Sequence, residues 1–310
     1  MSSGGRFLRR ALWILAALLS ATPAFAADPL AICLDENVPL YSRHDKGGSS
    51  GFFVALSEAI AARLGRSLKI QWFETKLDAD SSSTLEANAL LSDRRCMLVG
   101  GYPLVESALG KPGTDTARLP DFAGATPVDR HRRVALGTLV LSRAYLYAPM
   151  TVVLGPTRHQ AVKSLGDLDG LKLGIEASTL GDVVLMLYKN GRHIDHLMHV
   201  APGRDELLPR LERGEFEATL VDLRRFDAYR VQHPDSKITP TGFFYRAGIN
   251  MGYVGLASEM TLINQVNAVI DDMLAQNEMA RLAAKIGLTY VPPHQPEISP
   301  ELTLRDLRED

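Results

Sequence analysis

The sequence predicts an α/β fold with two lobes, each a mainly parallel sheet with flanking helices. Strand-like and helix-like segments alternate along the chain, which is typical of a parallel sheet covered on both faces. The predicted strand 96–99, with the sequence CMLV, is short and continuously apolar, as expected for a strand that is buried on both faces. The chain of 310 residues is long for one domain and sufficient for two lobes.

The predicted elements follow in order. The first part of the chain reads as strand 30–34, helix 52–64, strand 68–73, helix 84–93 and strand 96–99, which ends at Gly100 and Gly101. Strands 171–175, 199–200 and 218–221 then alternate with helices 180–188, 205–213 and 223–231, and helices 261–276 and 278–286 follow. Ligands of such sheets bind beyond the carboxyl ends of the strands, so we expect a site in loops 35–41, 100–103 and 177–179 and at Asp222.

The N-terminus has the pattern of a secretory signal peptide. Three arginines precede an apolar run at 11–19, and Ala24 and Ala26 supply the small residues of a cleavage site after Ala26. A retained anchor is the alternative, but the run of about ten residues is short of the roughly 20 needed to span a bilayer. We therefore expect residues 1–26 to be removed and the protein to be exported and soluble, without a membrane anchor.

The charge balance argues against nucleic acid as a partner. The chain has 34 basic and 36 acidic residues, and removal of the three N-terminal arginines leaves a net charge of about −5. No basic stripe interleaved with aromatic residues is present.

Two cysteines, Cys33 and Cys96, are the only ones in the chain. In an oxidising compartment this number predicts one disulfide, which would stabilise the fold by roughly 4 kcal/mol on the chain-entropy argument. Cys33 lies near the end of the first strand and Cys96 at the start of the third. Such a stagger between adjacent strands can exceed the Cα separation of about 7 Å that a bridge allows. Two buried thiols are therefore the alternative.

Five segments in succession resemble extracellular solute-binding proteins of family 3. They are ICLDENVPLYS (32–42), RCMLVGGYP (95–103), LSRAYLYAPMTVVL (141–154), SLGDLDGLKLGIEAST (164–179) and INMGYVGL (249–256) followed by two helices. The first three look most like the branch that is associated with periplasmic quinoprotein alcohol dehydrogenases. The resemblance covers most of residues 30–292.

This resemblance implies the two-lobed periplasmic-binding-protein fold of type II. Lobe 1 would comprise residues 27–148 and 251–292, lobe 2 residues 149–250, and residues 293–310 a C-terminal tail. The hinge would lie near 149–151 and 249–252, where Gly248 and Gly252 can absorb the backbone change. Residues 104–138 read as an insertion at the cleft rim, outside the sheet core, that caps the ligand or docks a partner.

The resemblance also implies a set of ligand-binding residues: Asp35, Asn37, Tyr41, Gly101, Tyr102, Arg143, Tyr145, Ser178, Thr179 and Asp222. Asp222 either faces a ligand amine or caps the following helix. Arg143 either binds an anionic ligand or pairs with a nearby carboxylate. The tyrosines either stack on a ligand or belong to the core. The hydroxyls of Ser178 and Thr179 lie at a helix start, which suits a polar ligand.

The chain departs from the family where amino-acid-binding members place the arginine that clamps the ligand carboxylate. That position, six residues before Leu141, is Ala135 here, and Arg132 and Arg133 are out of register. Because a bidentate arginine needs a closely defined position, we expect no tight binding of ordinary α-amino acids.

No motif predicts catalysis or a metal. His193, His196 and His199 have a spacing of three, but they lie around a helix-to-strand connection and no strand face keeps that period. No Gly-x-Ser-x-Gly motif is present. We therefore expect a binding protein without a metal or a cofactor, and not an enzyme.

Two functions fit the sequence. One is a periplasmic receptor that captures a small polar solute and delivers it to an ABC permease. The alternative is an accessory protein that interacts with a periplasmic quinoprotein alcohol dehydrogenase.

Overall fold

The structure is a computed structural model, and it describes residues 28–75, 82–204 and 206–308. The predicted signal peptide and its cleavage site after Ala26 lie outside these residues. Within them, no helix is both long and apolar enough to cross a membrane.

The strands in chain order are β1 (Leu30–Asp35), β2 (Asn37–Val38), β3 (Ser42–Asp45), β4 (Gly48–Ser50), β5 (Leu68–Glu74), β6 (Leu98–Pro103), β7 (Thr116–Arg118), β8 (Asp121–Phe122), β9 (Arg133–Ala135), β10 (Leu139–Leu141), β11 (Leu146–Leu154), β12 (Leu173–Glu176), β13 (Leu197–Val200), β14 (Ala218–Asp222) and β15 (Thr239–Leu256). The helices are α1 (Phe52–Arg63), α2 (Ser83–Ser92), α3 (Pro127–His131), α4 (Leu180–Leu187), α5 (Leu207–Glu212), α6 (Leu223–Gln232), α7 (Met260–Ala275) and α8 (Glu278–Lys285). The predicted alternation of strands and helices is confirmed.

The main sheet joins two lobes through two long strands. Its order is β13-β12-β14-β11-β15-β6-β1-β5-β8, with β10 also paired to β15. In the first lobe β6, β1 and β5 are parallel, and in the second lobe β14, β12 and β13 are parallel. The crossing strands β11 and β15 are antiparallel to each other and connect the two parallel sets.

Apolar side chains are buried on both faces of the sheet in each lobe. On β1, Ile32 and Leu34 belong to one cluster, and Cys33 between them belongs to the cluster on the opposite face. On β11, Leu154 likewise belongs to one cluster of the second lobe, and its neighbour Val153 belongs to the other. Successive residues of a strand point to opposite faces, so a continuous apolar run fills two cores at once.

The predicted disulfide between Cys33 and Cys96 is confirmed, with the two Cα atoms 5.6 Å apart. The expected stagger does not arise, because β6 starts at Leu98 and Cys96 lies on the segment before it. The pairing of β6 with β1 therefore does not fix the position of Cys96 relative to Cys33. The bridge lies in the buried cluster that also contains α2 residues such as Leu90.

The segment 104–138 is not outside the sheet core, so that expectation was wrong. Strand β8 extends the main sheet, with Phe122 paired to Phe73 of β5. Ala117, Leu119 and Phe122 are buried in the same cluster as the disulfide. The segment therefore supplies part of the apolar core of the first lobe. Its content of glycine, proline and charged residues gave no indication of this burial.

Candidate functional site

A cavity of about 510 Å³ lies between the lobes, at the carboxyl ends of strands from both parallel sets. Lobe 1 contributes residues after β1 and at the end of β6, and lobe 2 contributes residues after β12 and β14. Ala148 and Met150 of β11 and Ala247 and Met251 of β15 form part of the cavity wall between the lobes. This is the location that the strand alternation predicted.

Asp35 and Tyr41 line the cavity from the first lobe. The Asp35 carboxylate accepts hydrogen bonds from the backbone N–H groups of Asn37 (2.9 Å) and Thr75 (3.3 Å). The Tyr41 ring packs on Phe53, with ring centroids 4.7 Å apart. Burial raises the pKa of Tyr41 well above its usual range, and the nearby Asp222 carboxylate adds to the rise, so this phenol stays neutral.

Gly101 and Tyr102 line the cavity at the end of β6. Gly101 has φ +70°, and a Cβ atom there would lie 2.3 Å from the Phe53 ring, so only glycine fits without a shift. Its N–H donates to the Tyr145 hydroxyl (2.7 Å), which in turn donates to the Gly252 carbonyl (3.2 Å). Tyr145 is fully buried behind the wall and supports the cavity shape.

Thr179 and Asp222 line the cavity from the second lobe, and both cap helices. The Thr179 hydroxyl accepts from the Asp182 N–H at the start of α4 (3.2 Å) and donates to the Glu176 carbonyl (2.8 Å). Asp222 Oδ1 accepts from the Arg224 N–H at the start of α6 (2.9 Å). The capping alternative for Asp222 is therefore present, and its carboxylate also faces the cavity.

Three charged lining residues were missed by the sequence analysis. Glu176 and Arg225 form an ion pair on the lobe 2 wall, and Glu176 Oε1 also accepts from the Gly203 N–H (2.9 Å). Arg224 crosses to the first lobe, where it donates to the Pro39 carbonyl (3.2 Å) and its guanidinium lies 5.2 Å from the Tyr41 ring centroid. For the two arginines, the available signal was the pair Arg224-Arg225 in the first turn of a helix that follows a strand.

Two of the acidic lining residues, Asp35 and Asp222, retain more hydrogen-bonding capacity for a ligand than the two lining arginines. Arg225 is paired with Glu176, and Arg224 is held by Pro39 and Tyr41. Within the described residues, the Asp35 carboxylate accepts hydrogen bonds from two backbone N–H groups. The Asp222 carboxylate accepts one from the Arg224 N–H and has the Arg224 Nε at 3.9 Å. A carboxylate has about four lone-pair positions, so both retain free acceptor sites.

Some predicted ligand residues do not line the cavity. Arg143 lies on the surface, where its Nε donates to Glu297 (2.8 Å) and its Nη1 lies 3.3 Å from Asp271, so the carboxylate-pairing alternative describes it. Asn37 is exposed. Ser178 has φ +63° and its N–H donates to Asp182. None of these three residues belongs to the cavity wall.

Arg132 and Arg133, the two arginines nearest the expected clamp position, also lie away from the cavity. Arg132 pairs with Asp93, and Arg133 donates to the Thr116 hydroxyl (3.0 Å). No described residue of 104–138 lines the cavity. Neither Arg132 nor Arg133 therefore belongs to the cavity wall.

The three histidines do not converge. His193 is buried, contacts the Leu165 carbonyl (3.0 Å) and stacks on Tyr188, whereas His199 contacts Asp182 (2.8 Å). Within the described part of the chain, no group of three or more His, Cys, Asp or Glu residues is placed to hold a metal ion.

Comparison with known proteins gives structural neighbours only. No family model matches the chain, and no curated protein matches it. The L-cystine solute receptor of Neisseria gonorrhoeae, unliganded and open, superposes with a TM-score of 0.57 at 18% identity, covering 84% of this chain and 93% of that one. Substrate-binding domain 2 of Lactococcus lactis GlnP, also open, gives 0.58 at 16% identity, covering 84% and 95%.

A third neighbour is the second substrate-binding domain of a putative amino acid ABC transporter from Streptococcus pneumoniae, with a TM-score of 0.57 at 15% identity, covering 83% of this chain and 99% of that one. The chain has the two-lobed fold of periplasmic binding proteins. The predicted fold class is thereby confirmed. At these identities the likeness concerns the fold, and the ligands of the neighbours do not transfer with it.

Proposed function

We propose that the protein is an exported, periplasmic solute-binding protein of family 3 that holds a small polar solute between its lobes and delivers it to an ABC permease. The observation that carries the proposal is the cavity of about 510 Å³, with acidic side chains facing it from both lobes. A ligand bound by both lobes stabilises the closed arrangement, which is how a hinged receptor signals its loaded state. The L-cystine receptor and the substrate-binding domain of an amino acid ABC transporter among the structural neighbours support this assignment.

The charges of the cavity wall favour a ligand that donates hydrogen bonds. Asp35 from the first lobe and Asp222 from the second retain free acceptor positions, whereas Arg224 and Arg225 are already engaged. The rest of the wall is largely apolar, including Phe53, and would hold an uncharged body. We therefore propose that the solute carries an amine or several hydroxyl groups, and that a carboxylate is not required.

A thermal-shift screen tests this proposal. Small amines, polyols and common amino acids are added to the purified mature protein, since a ligand at 100 times its Kd adds roughly 2.7 kcal/mol to stability. Asp222→Asn removes the charge but keeps a good N-cap, so the fold should persist while the shift with an amine falls. Asp195→Asn, at an exposed position of the second lobe, is the matched control.

Two results would contradict the proposal. A stabilisation by ordinary amino acids that is unchanged in Asp222→Asn would mean that the carboxylates do not select the ligand. No stabilisation by any compound of a broad panel, with the fold verified by circular dichroism, would remove the support for a solute receptor.

The accessory role for a quinoprotein alcohol dehydrogenase is the second candidate. It rests on the resemblance of three sequence segments to that branch and on the lack of an arginine at the clamp register. Binding to the purified dehydrogenase, measured by surface plasmon resonance with and without an ABC permease as competitor, separates the two roles. Binding to the permease alone would eliminate the accessory role.

A further inference from the structure

The C-terminal segment 293–308 lies behind the crossing strands, on the face opposite the cleft. Ala247 and Met251 of β15 point into the cleft cavity. The alternate residues Arg246, Gly248 and Asn250 line a second hollow of about 490 Å³, whose other wall is formed by this segment. Since neighbouring residues of a strand point to opposite faces, the segment occupies the rear of the region where the lobes join.

Two sets of contacts hold this segment to the first lobe and to the adjoining part of β15. The Asn250 side chain donates to the carbonyls of His294 (2.8 Å) and Glu297 (3.0 Å) and accepts from the His294 N–H (3.0 Å). Ser299 donates its N–H to the Leu104 carbonyl (2.8 Å) and accepts from the Glu106 N–H (3.0 Å).

The other end of the segment is held by the second lobe. Leu307 is 6% exposed and belongs to the buried cluster that contains Leu165 and Tyr188. The Arg308 carbonyl accepts from the Lys189 N–H (3.1 Å). The segment is therefore fixed to both lobes.

The connection between the two anchors is short. Ser299 and Asp306 are seven positions apart, a stretch that reaches at most about 25 Å when fully extended. A turn in which Thr303 donates its N–H (2.9 Å) and its hydroxyl (2.6 Å) to the Asp306 carboxylate shortens that reach. Leu302 and Leu304 are exposed, so this stretch connects the lobes with little packing of its own.

We propose that residues 293–308 act as a strap across the rear of the hinge that opposes closure of the cleft. Bending about the crossing strands that brings the lobes together on the cleft face moves them apart on the rear face. The strap is anchored there on both lobes, so closure must stretch it or detach one anchor. The strap thereby lowers the population of the closed state before any solute is bound.

The crossing strands are irregular next to this strap. The register between β11 and β15 shifts between Ala148, which pairs with Ile249, and Met150, which pairs with Tyr245. Pro149 lies in this interval and has no N–H to donate to the ladder. An interrupted hydrogen-bond ladder bends more readily than a continuous one. The crossing strands themselves therefore offer little resistance to closure, and the strap provides it.

Distance measurement by double electron–electron resonance tests the strap without any ligand. Spin labels on Asn37→Cys and Ala201→Cys report the separation of the lobes, because both positions are exposed and follow strands that end at the cleft. Labelling without reductant preserves the Cys33–Cys96 bridge. Three variants are compared with the full chain. They are a truncation after Pro300, an insertion of six Gly and Ser residues after Glu301 that keeps both anchors, and the control Leu304→Ser at an exposed strap position.

We expect the truncation and the insertion to raise the population with the shorter distance by about tenfold, and the control to leave it unchanged. The insertion keeps the anchored contacts, so its effect cannot come from lost packing. An unchanged distance distribution in the insertion variant would overturn the proposal. A shift to longer distances would overturn it as well, because the strap would then hold the cleft closed. The readout needs no solute, so it is independent of the proposed receptor function.

Discussion

Replacing Phe122 by alanine measures how far the segment 104–138 belongs to the core of the first lobe. The ring is 7% exposed in the disulfide cluster, and the Arg95 guanidinium lies 4.5 Å from its centroid. Phe→Ala in a core costs about 3–5 kcal/mol through lost burial and the remaining cavity. Part of the ring faces Arg95, which keeps its partners Asp93 and Asp129 in the variant, so we expect about 3 kcal/mol.

Urea unfolding followed by circular dichroism gives this value from the transition midpoint at an unchanged m-value. The corresponding fall in melting temperature is about 6–12 °C. Val128→Ala is the matched control, since Val128 lies in the same segment but is 74% exposed, and its change should stay within about 0.5 kcal/mol. A loss below about 1 kcal/mol for Phe122→Ala would refute the assignment of the segment to the core. Because the segment belongs to the core, we expect a variant with a Gly-Ser link in place of residues 104–138 to be unfolded. A folded variant would contradict this assignment.

Two further outcomes follow from the same structure. Gly101→Ala should destabilise the protein by about 1–3 kcal/mol more than the control Gly110→Ala. Both glycines have positive φ, but only at Gly101 would a Cβ atom clash with the Phe53 ring. Equal melting temperatures for the two variants would contradict this explanation. Burial raises the pKa of Tyr290 to about 12, so its contribution to stability is complete below the unfolded pKa of about 10 and is lost as the pH rises towards 12. Tyrosinate absorbance should therefore show a delayed ionisation step that Tyr290→Phe lacks, and ionisation of that step near pH 10 in the folded protein would count against it.

Local features of the chain could be predicted because they depend on neighbouring residues. The apolar runs and helical spacing placed α1, α4 and α6 within one or two residues of their observed ends. Thr179 and Asp222 were identified at helix starts that follow strands, and the structure places both on the cavity wall. The pair Cys33 and Cys96 needed only the compartment and the count of two cysteines.

Side-chain partners distant in sequence could not be predicted in the same way. Arg143 pairs with Glu297, which lies 154 positions later, and nothing next to Arg143 in sequence indicates that the C-terminal segment returns there. Arg224 reaches the Pro39 carbonyl across 185 positions, and this contact decides that an arginine of the second lobe meets the first.

The amino-acid sequence was sufficient for the α/β class, for the order of the six parallel strands and the longer helices, and for the edge of the sheet where the cavity lies. Hydrophobic periodicity, helix capping and the direction of parallel strands can be inferred from neighbouring residues. Together they indicate the edge of the sheet at which the strands end and the helices begin. Tertiary structure alone decided which charges face the cavity, that Phe122 completes the first core, and that residues 293–308 connect the lobes from behind. Those arrangements depend on which surfaces the folded chain brings into contact, and such contacts leave no periodic signal in the residues that make them.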